Sequence, residues 1–292
     1  MPRYAARMDS LVSTQWLADE LGAPDLVVLD ASRHLPAAGR DPISEYEAGH
    51  VPGALFFDLA RLVDTNSDVP QALPNPRQLA DYLVALSIDP ESRIVIYDDS
   101  AVKTSARAWF MLTAMGRDNV AILDGGLAKW REEGRAHESG SPEITASRPQ
   151  SLATPTRVRT KANILANIDT QAEQLVDARS ADRVFGSGID PVHGGQNGRI
   201  PGSLNLPFGQ LYNSDGTFKS LGELRRAFED AGVDLERPIV TTCGSGVTAS
   251  VLLFALHLIG KDDTALYDGS WMEWEADPDL PKAQGPEEGR PL

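Results

Sequence analysis

The chain of 292 residues has a single cysteine, Cys243. One thiol cannot close an intrachain disulfide or build a thiolate metal site, and it fits a reducing compartment. Long apolar runs are also missing. The longest, Val251–Ile259, is interrupted by His257 and is too short to span a bilayer. The opening stretch MPRYAARMDSLVSTQWLADEL has two arginines but no apolar core of a secretory leader. Basic residues are few: 27 Lys and Arg face 42 Asp and Glu, a net charge of -15. That balance excludes the basic footprint of a nucleic-acid binder and mainly confers solubility. His34, His137, His193 and His257 lack metal-cluster spacing, so no metal is expected. These absences lead to the expectation of a cytoplasmic protein without nucleic-acid, membrane or metal partners. What is present is 41% hydrophobic residues, enough to build cores, and a length that suggests two domains.

The chain repeats itself. VVLDASR (27–33) is echoed by QLVDARS (174–180), and HVPGALFFDL (50–59) by RIPGSLNLPF (199–208). IVIYDDS (94–100) is echoed by PIVTTCGS (238–245), and LDGGLAKW (123–130) by YDGSWMEW (267–274). The offsets are nearly constant: 147 residues from Asp30 to Asp177, 149 from Pro52 to Pro201, 144 from Trp130 to Trp274. An ordered match at one offset marks a duplicated domain. The expected boundaries are 9–135 for the first copy, 136–160 for a Ser/Pro/Thr-rich linker, 161–280 for the second copy and 281–292 for a disordered tail.

Within each copy, short apolar runs alternate with helical patterns. Strands are expected at 26–29, 94–97 and 121–123, then at 174–176, 239–242 and 264–267. Helices are expected at 13–21, 76–86, 105–115, 221–231 and 247–259, with Gly116 and Gly260 as C-terminal caps. This alternation predicts an α/β fold of two tandem domains, each a mostly parallel sheet flanked by helices. The Asp-Gly-Gly and Asp-Gly-Ser turns at 124–126 and 268–270 read as fold residues. Trp130, Trp271 and Trp274 read as packing residues.

The chemistry concentrates at PIVTTCGSGVTASVLLFALHLIG. A strand ends at Thr242, the loop CGSGVT follows, and a strongly apolar helix begins. Sites in open α/β sheets form at the carboxyl ends of strands. The loop amides and the helix dipole there stabilise an anion, which favours a thiolate nucleophile at Cys243. Gly244 and Gly246 let the backbone curl around the sulfur. The competing reading is a buried structural cysteine. Against it stand the glycines and hydroxyls of the loop, and the Asp98 that occupies the matching place in the first copy.

The duplicated halves, the strand–Cys loop–helix unit and the paired Asp-Gly-Gly/Asp-Gly-Ser plus Trp motifs resemble the rhodanese superfamily over nearly the whole chain. The resemblance implies two rhodanese-like domains, an inactive first copy and a catalytic second one. The loop CGSGVTA is similar to the 3-mercaptopyruvate sulfurtransferase branch. The thiosulfate branch typically has basic residues in this loop, and none lies between Cys243 and Ser250. The implied reaction moves a sulfane sulfur from a small-molecule donor to a thiol or cyanide through a Cys243 persulfide, without a cofactor. A thioredoxin-like reductant falls within the acceptor class. The resemblance also implies donor binding by Arg183 and by the loop residues Gly244, Gly246, Val247 and Thr248. It gives Arg179 a fold-holding or donor-binding role, and implies a proton relay of Ser245, His50 and Asp41. A turn hydrogen bond is the alternative for His50, and Arg199 reads as structural. The segment VFGSGIDPVHGGQ departs from the family pattern. Rival readings are a thiosulfate:cyanide sulfurtransferase, a cysteine phosphatase and a non-catalytic binding or redox-sensing module. The phosphatase would need an Arg where Thr248, Ala249 and Ser250 stand.

Overall fold

Two five-stranded sheets organise the chain, and every strand pair in them is parallel. The computed structural model describes residues 8–142 and 147–285. The first sheet is built from β1 (Leu11–Val12), β2 (Leu26–Asp30), β3 (Leu55–Phe56), β4 (Arg93–Tyr97) and β5 (Val120–Leu123), ordered β1-β5-β4-β2-β3. The second is built from β6 (Val158–Arg159), β7 (Gln174–Asp177), β8 (Leu204–Asn205), β9 (Ile239–Thr242) and β10 (Thr264–Tyr267). Its order, β6-β10-β9-β7-β8, is the same permutation. The duplication seen in the sequence is thus a duplication of topology.

Two compact units carry the sheets. One holds residues up to Leu62, then Pro74–Pro155 and Ser214–Thr217. The other holds Val63–Leu73, Thr156–Asn213 and Phe218 onward.

The central strands are buried along almost their whole length, as expected of parallel strands covered on both faces. The helices α1 (Thr14–Glu20), α2 (Pro42–Ala48), α3 (Pro76–Ala85), α4 (Ser105–Ala114) and α5 (Gly126–Glu132) accompany the first sheet. The helices α6 (Lys161–Thr170), α7 (Ala181–Phe185), α8 (Leu221–Asp230), α9 (Val247–Leu258) and α10 (Ser270–Ala276) accompany the second. Eight consecutive residues of α9, Ala249–Leu256, are buried. A helix apolar all round must lie between layers, and α9 packs against β9, β10 and α8. Both glycine caps form. The amides of Gly116 and Arg117 reach back to Thr113 and Leu112, and those of Gly260 and Lys261 to His257 and Leu256. This is the doubly bonded C-terminal motif that left-handed glycine permits.

Elements without a sequence signal are short or lie at edges. Two-residue strands such as β1 and β8 have no room for alternation. The helix α6 is set by a capping box, with Thr160 and Asn163 bonding each other's backbone amides, more than by an apolar stripe.

The stretch 136–160 is largely used by the fold. Trp130 Nε1 donates to the Ala136 carbonyl, and Glu138 pairs with His50 as an antiparallel bridge. Val158–Arg159 is the edge strand β6. In the second unit Trp274 Nε1 donates to the Pro281 carbonyl, and Ala283 pairs with Arg199. Residues 281–285, expected within a disordered tail, therefore repeat what 136–138 do; the rest of that expected tail, 286–292, lies outside the described residues. Arg199 also donates to the Gly285 carbonyl and stacks on Phe185 at 5.0 Å, a structural use of its guanidinium.

The turn after β5 shows why glycine is needed there. Gly126 has φ +59, and a Cβ would meet the Asp98 carbonyl oxygen at 2.5 Å. Gly126→Ala is expected to cost about 1–3 kcal/mol, the range for a strained left-handed residue. Thermal unfolding against the parent measures it.

Candidate active site

Cys243 follows the last residue of β9, the central strand of the second sheet. Chain order reverses between β9 and β7, so a crevice opens beyond their carboxyl ends. The register brings Asp177 beside Thr242, and the Ala178 amide donates to the Thr242 carbonyl at 2.9 Å. Everything that follows β7, including Arg179 and Arg183, is thereby delivered to the cysteine loop. The residues after β10 complete the third side. The Trp271 amide donates to the Cys243 carbonyl, and the Met272 amide to the Gly244 carbonyl. Ser270 Oγ accepts from the Cys243 amide at 3.2 Å and donates to the Tyr267 carbonyl.

Cys243 is a free thiol, 2% exposed. The loop turns into α9 at Gly246, which has φ +77. No hydrogen-bond partner among the described residues takes the amides of Gly244, Ser245, Gly246, Val247 or Thr248. The first amides of a helix are orphans by geometry, and here they follow directly on a buried cysteine. The side chain of Ser245, 6% exposed, likewise has no partner among the described residues.

The first copy shows what such a loop holds. Asp98 stands at the position of Cys243. Its carboxylate accepts from the Ser100 and Ser105 amides, each at 2.8 Å. The loop there is occupied by a covalently attached anion. In the second copy the side chain is a thiol, and the amides stay open to an anion.

Arg179 and Arg183 part company. Arg179 is 1% exposed, pairs with Asp177 through Nε and Nη2, donates to the Gly198 carbonyl and lies 4.9 Å over the Trp271 ring. Its guanidinium ties β7 to α10. Arg183 pairs with Asp190 through Nε (3.0 Å) and Nη2 (2.8 Å), while its Nη1 has no partner among the described residues. Asp190 is 1% exposed, lies 3.8 Å from Arg179 as well, and accepts from the Val192 and His193 amides. Burial alone would raise its carboxyl, but the bonds from Arg183 and the two amides outweigh that and hold it below the ordinary value. Its stabilising effect is present at neutral pH and is lost only as pH falls below the usual carboxylate range. Asp190→Ala leaves the buried Arg179 and the half-buried Arg183 short of a partner. It is expected to cost about 3–5 kcal/mol in urea denaturation.

The segment 186–198 folds as a strap held by Ile189–Gln196 bridging, by Trp271 Nε1 on the Gln196 carbonyl and by the Gln196 amide on Glu275. It lays a histidine on the loop. A Cβ at residue 244 would stand 2.0 Å from His193 Nε2 and 3.2 Å from Arg183 Nη2. No cluster surrounds His193 in the chain, so spacing alone does not single it out. Its departure from the family pattern, within VFGSGIDPVHGGQ, was the available signal.

His50 and Asp41 belong to the first unit. His50 is 1% exposed, its ring stacked 4.1 Å from Tyr46, and Nδ1 bonds the Tyr46 carbonyl at 2.7 Å. A carbonyl only accepts, so Nδ1 carries a proton. Asp41 caps α2, accepting from the Ile43 and Ser44 amides and the Ser44 hydroxyl. No hydrogen bond joins Asp41 to His50.

Among the described residues no cluster of His, Cys, Asp and Glu could hold a metal, and no helix is long and apolar enough to cross a membrane.

This architecture, a parallel sheet with a lone cysteine in an open amide loop and a second copy lacking it, defines a class, and the chain belongs to the rhodanese family of sulfurtransferases. The rhodanese-like domain model matches twice, at residues 13–133 and 160–277. The mouse 3-mercaptopyruvate sulfurtransferase is 41% identical, with 91% of each chain covered. The protein of that name from Escherichia coli K12 is 36% identical, over 92% of this chain and 96% of its own. The crystal structure of SseA from Escherichia coli superposes with a TM-score of 0.82 at 34% identity, covering 90% of this chain and 99% of that one.

Proposed function

We propose that the enzyme takes sulfur from 3-mercaptopyruvate and stores it as a Cys243 persulfide. The observation that carries this reading is the buried Cys243 in a loop whose amides have no partner among the described residues and which has no basic side chain up to Ser250, with the half-open guanidinium of Arg183 beside it. The names of the mouse and Escherichia coli relatives support the donor.

The Cys243 thiolate attacks the donor sulfur. An S–S bond forms, the C–S bond breaks, and its electron pair enters the three-carbon fragment as the enolate of pyruvate. A proton then returns to carbon. Loop amides stabilise the thiolate and the persulfide anion. Arg183 Nη1 and the loop residues Gly244, Gly246, Val247 and Thr248 hold the donor, and Arg179 keeps the Arg183–Asp190 pair in place. The proton is returned through Ser245 of the same loop; the relay roles of His50 and Asp41 rest on the family resemblance alone. In the second half-reaction cyanide or a thiol, a thioredoxin-like reductant included, removes the outer sulfur and returns the thiol. A reducing compartment such as the cytoplasm suits a single unpaired thiol.

Thiosulfate is the second donor to weigh, because a hamster relative named thiosulfate sulfurtransferase is 38% identical over 94% of this chain. The two donors are separated by mixing enzyme with each in the absence of acceptor. With 3-mercaptopyruvate, one pyruvate per enzyme should appear in a burst, and the protein should gain the mass of one sulfur atom. Absence of the burst with 3-mercaptopyruvate, alongside sulfur loading by thiosulfate, would reverse the assignment.

A further inference from the structure

We propose that His193 is a catalytic residue of the donor half-reaction, its Nε2–H bonding the 2-oxo oxygen of the donor and the enolate oxygen that develops from it. The proposal rests on the 3-mercaptopyruvate reading and adds to it a group that acts on the ketone.

Three observations converge. First, the imidazole edge occupies the space that glycine leaves at 244, the residue that follows the nucleophile: the Cβ site lies 2.0 Å from Nε2 and 2.4 Å from Cδ2. Second, neither ring nitrogen of His193 has a hydrogen-bond partner among the described residues, although the residue is half-buried. Both nitrogens are therefore free to bond a ligand that enters the loop. Third, the strap is anchored. The His193 amide sits on Asp190, the Asp190 amide on the Gly195 carbonyl, and the Gly194 amide on the Asp190 carbonyl. The ring is held there as part of a built arrangement.

The chemistry matches the pair of groups found. A 2-oxo acid has a carboxylate and a ketone on adjacent carbons. The carboxylate suits the free edge of Arg183, and the ketone suits an uncharged N–H. Burial and the adjacent Arg183 guanidinium push the His193 ring below the ordinary histidine range, so it is neutral at neutral pH. With its proton on Nε2, a neutral ring donates a hydrogen bond without adding a second cation beside Arg183. As the C–S bond breaks, charge moves onto the ketone oxygen and the bond from Nε2 strengthens, which is the condition for accelerating the step. Removal of the sulfur by cyanide involves no ketone and should not feel His193.

The test uses the full chain with His193→Ala and His193→Gln, the latter retaining an amide donor. Pyruvate release in single turnover with 3-mercaptopyruvate should slow by roughly 10²-fold in His193→Ala, the scale for losing one donor to a developing oxyanion, with partial recovery in His193→Gln. The loss should fall on the rate at saturating donor more than on the half-saturating concentration. Enzyme loaded to completion by long incubation should discharge its persulfide to cyanide at the parent rate, and iodoacetamide should alkylate Cys243 at the parent rate. An unchanged donor step overturns the proposal. So does equal slowing of both half-reactions, which would mark His193 as a mere prop of the loop. Failure of the parent to release pyruvate is a different result: it removes the donor reading before any variant is compared.

Discussion

Cys243→Ser should abolish persulfide formation while leaving the protein folded. Serine fits the volume, and the contacts that hold residue 243 are made by its backbone: the carbonyl accepts from Trp271 and the amide donates to Ser270 Oγ. Neither contact involves sulfur, so the melting temperature should move by no more than a few degrees, the shift that corresponds to about 1 kcal/mol. Chemistry depends wholly on the sulfur. A serine hydroxyl is not ionised in a loop of amides at neutral pH, and it cannot form the S–S bond. Pyruvate release should fall by roughly 10³-fold or more, as when a nucleophile is deleted. Mass spectrometry after donor treatment should show no added sulfur atom. Equal pyruvate and sulfide release by parent and variant would sink the persulfide mechanism.

Gly244→Ala is expected to be nearly as damaging, by a different route. Gly244 does not use left-handed backbone, so alanine meets no conformational penalty there. The conflict is between side chains. The new methyl would overlap His193 Nε2 and crowd Arg183 Nη2. Both neighbours are ends of side chains: the His193 ring is expelled, while the Arg183 guanidinium, 3.2 Å away, need only shift slightly on Asp190, so the stability cost stays small. The donor site loses the arrangement of its imidazole and guanidinium. A displacement of this order costs roughly 10²-fold in turnover. The check is donor-side kcat/KM together with the rate of Cys243 alkylation: the first should collapse and the second should stay within a few-fold of the parent. A parallel loss of both would place the damage in the loop backbone instead.

The contrast between the copies gives these predictions their frame. At Asp98 the loop amides of the first copy are satisfied by the chain's own carboxylate. At Cys243 they are left for an anion that arrives with the reaction. One version of the loop is thus closed by its own side chain, and the other keeps open hydrogen-bonding capacity.

The internal repeat, the central strands, five of the helices (α1, α3, α4, α8 and α9), both glycine caps and the cysteine loop could be read from the chain. Each is encoded locally: by apolar runs of four residues or more, by Gly after a helix, and by a strand, two glycines and a helix in succession. Other features depended on what lies nearby in space. Two-residue edge strands exist only because a longer neighbour offers its edge. The separation of Arg179 into a tie and Arg183 into a half-open fork required Asp190, seven residues beyond Arg183 and held by the strap. Asp41 looked like an acid for a relay, and the structure uses its carboxylate as a helix cap because the nearest free amides belong to its own first turn. His193 had no partner in the sequence at all. Only the crossover from β7, the strap and the absent side chain of Gly244 bring it to the residue after Cys243. The sequence by itself singled out Cys243, because one cysteine in an amide-rich loop is a local fact. Tertiary structure alone decided which groups face it, because those groups come from the ends of neighbouring strands.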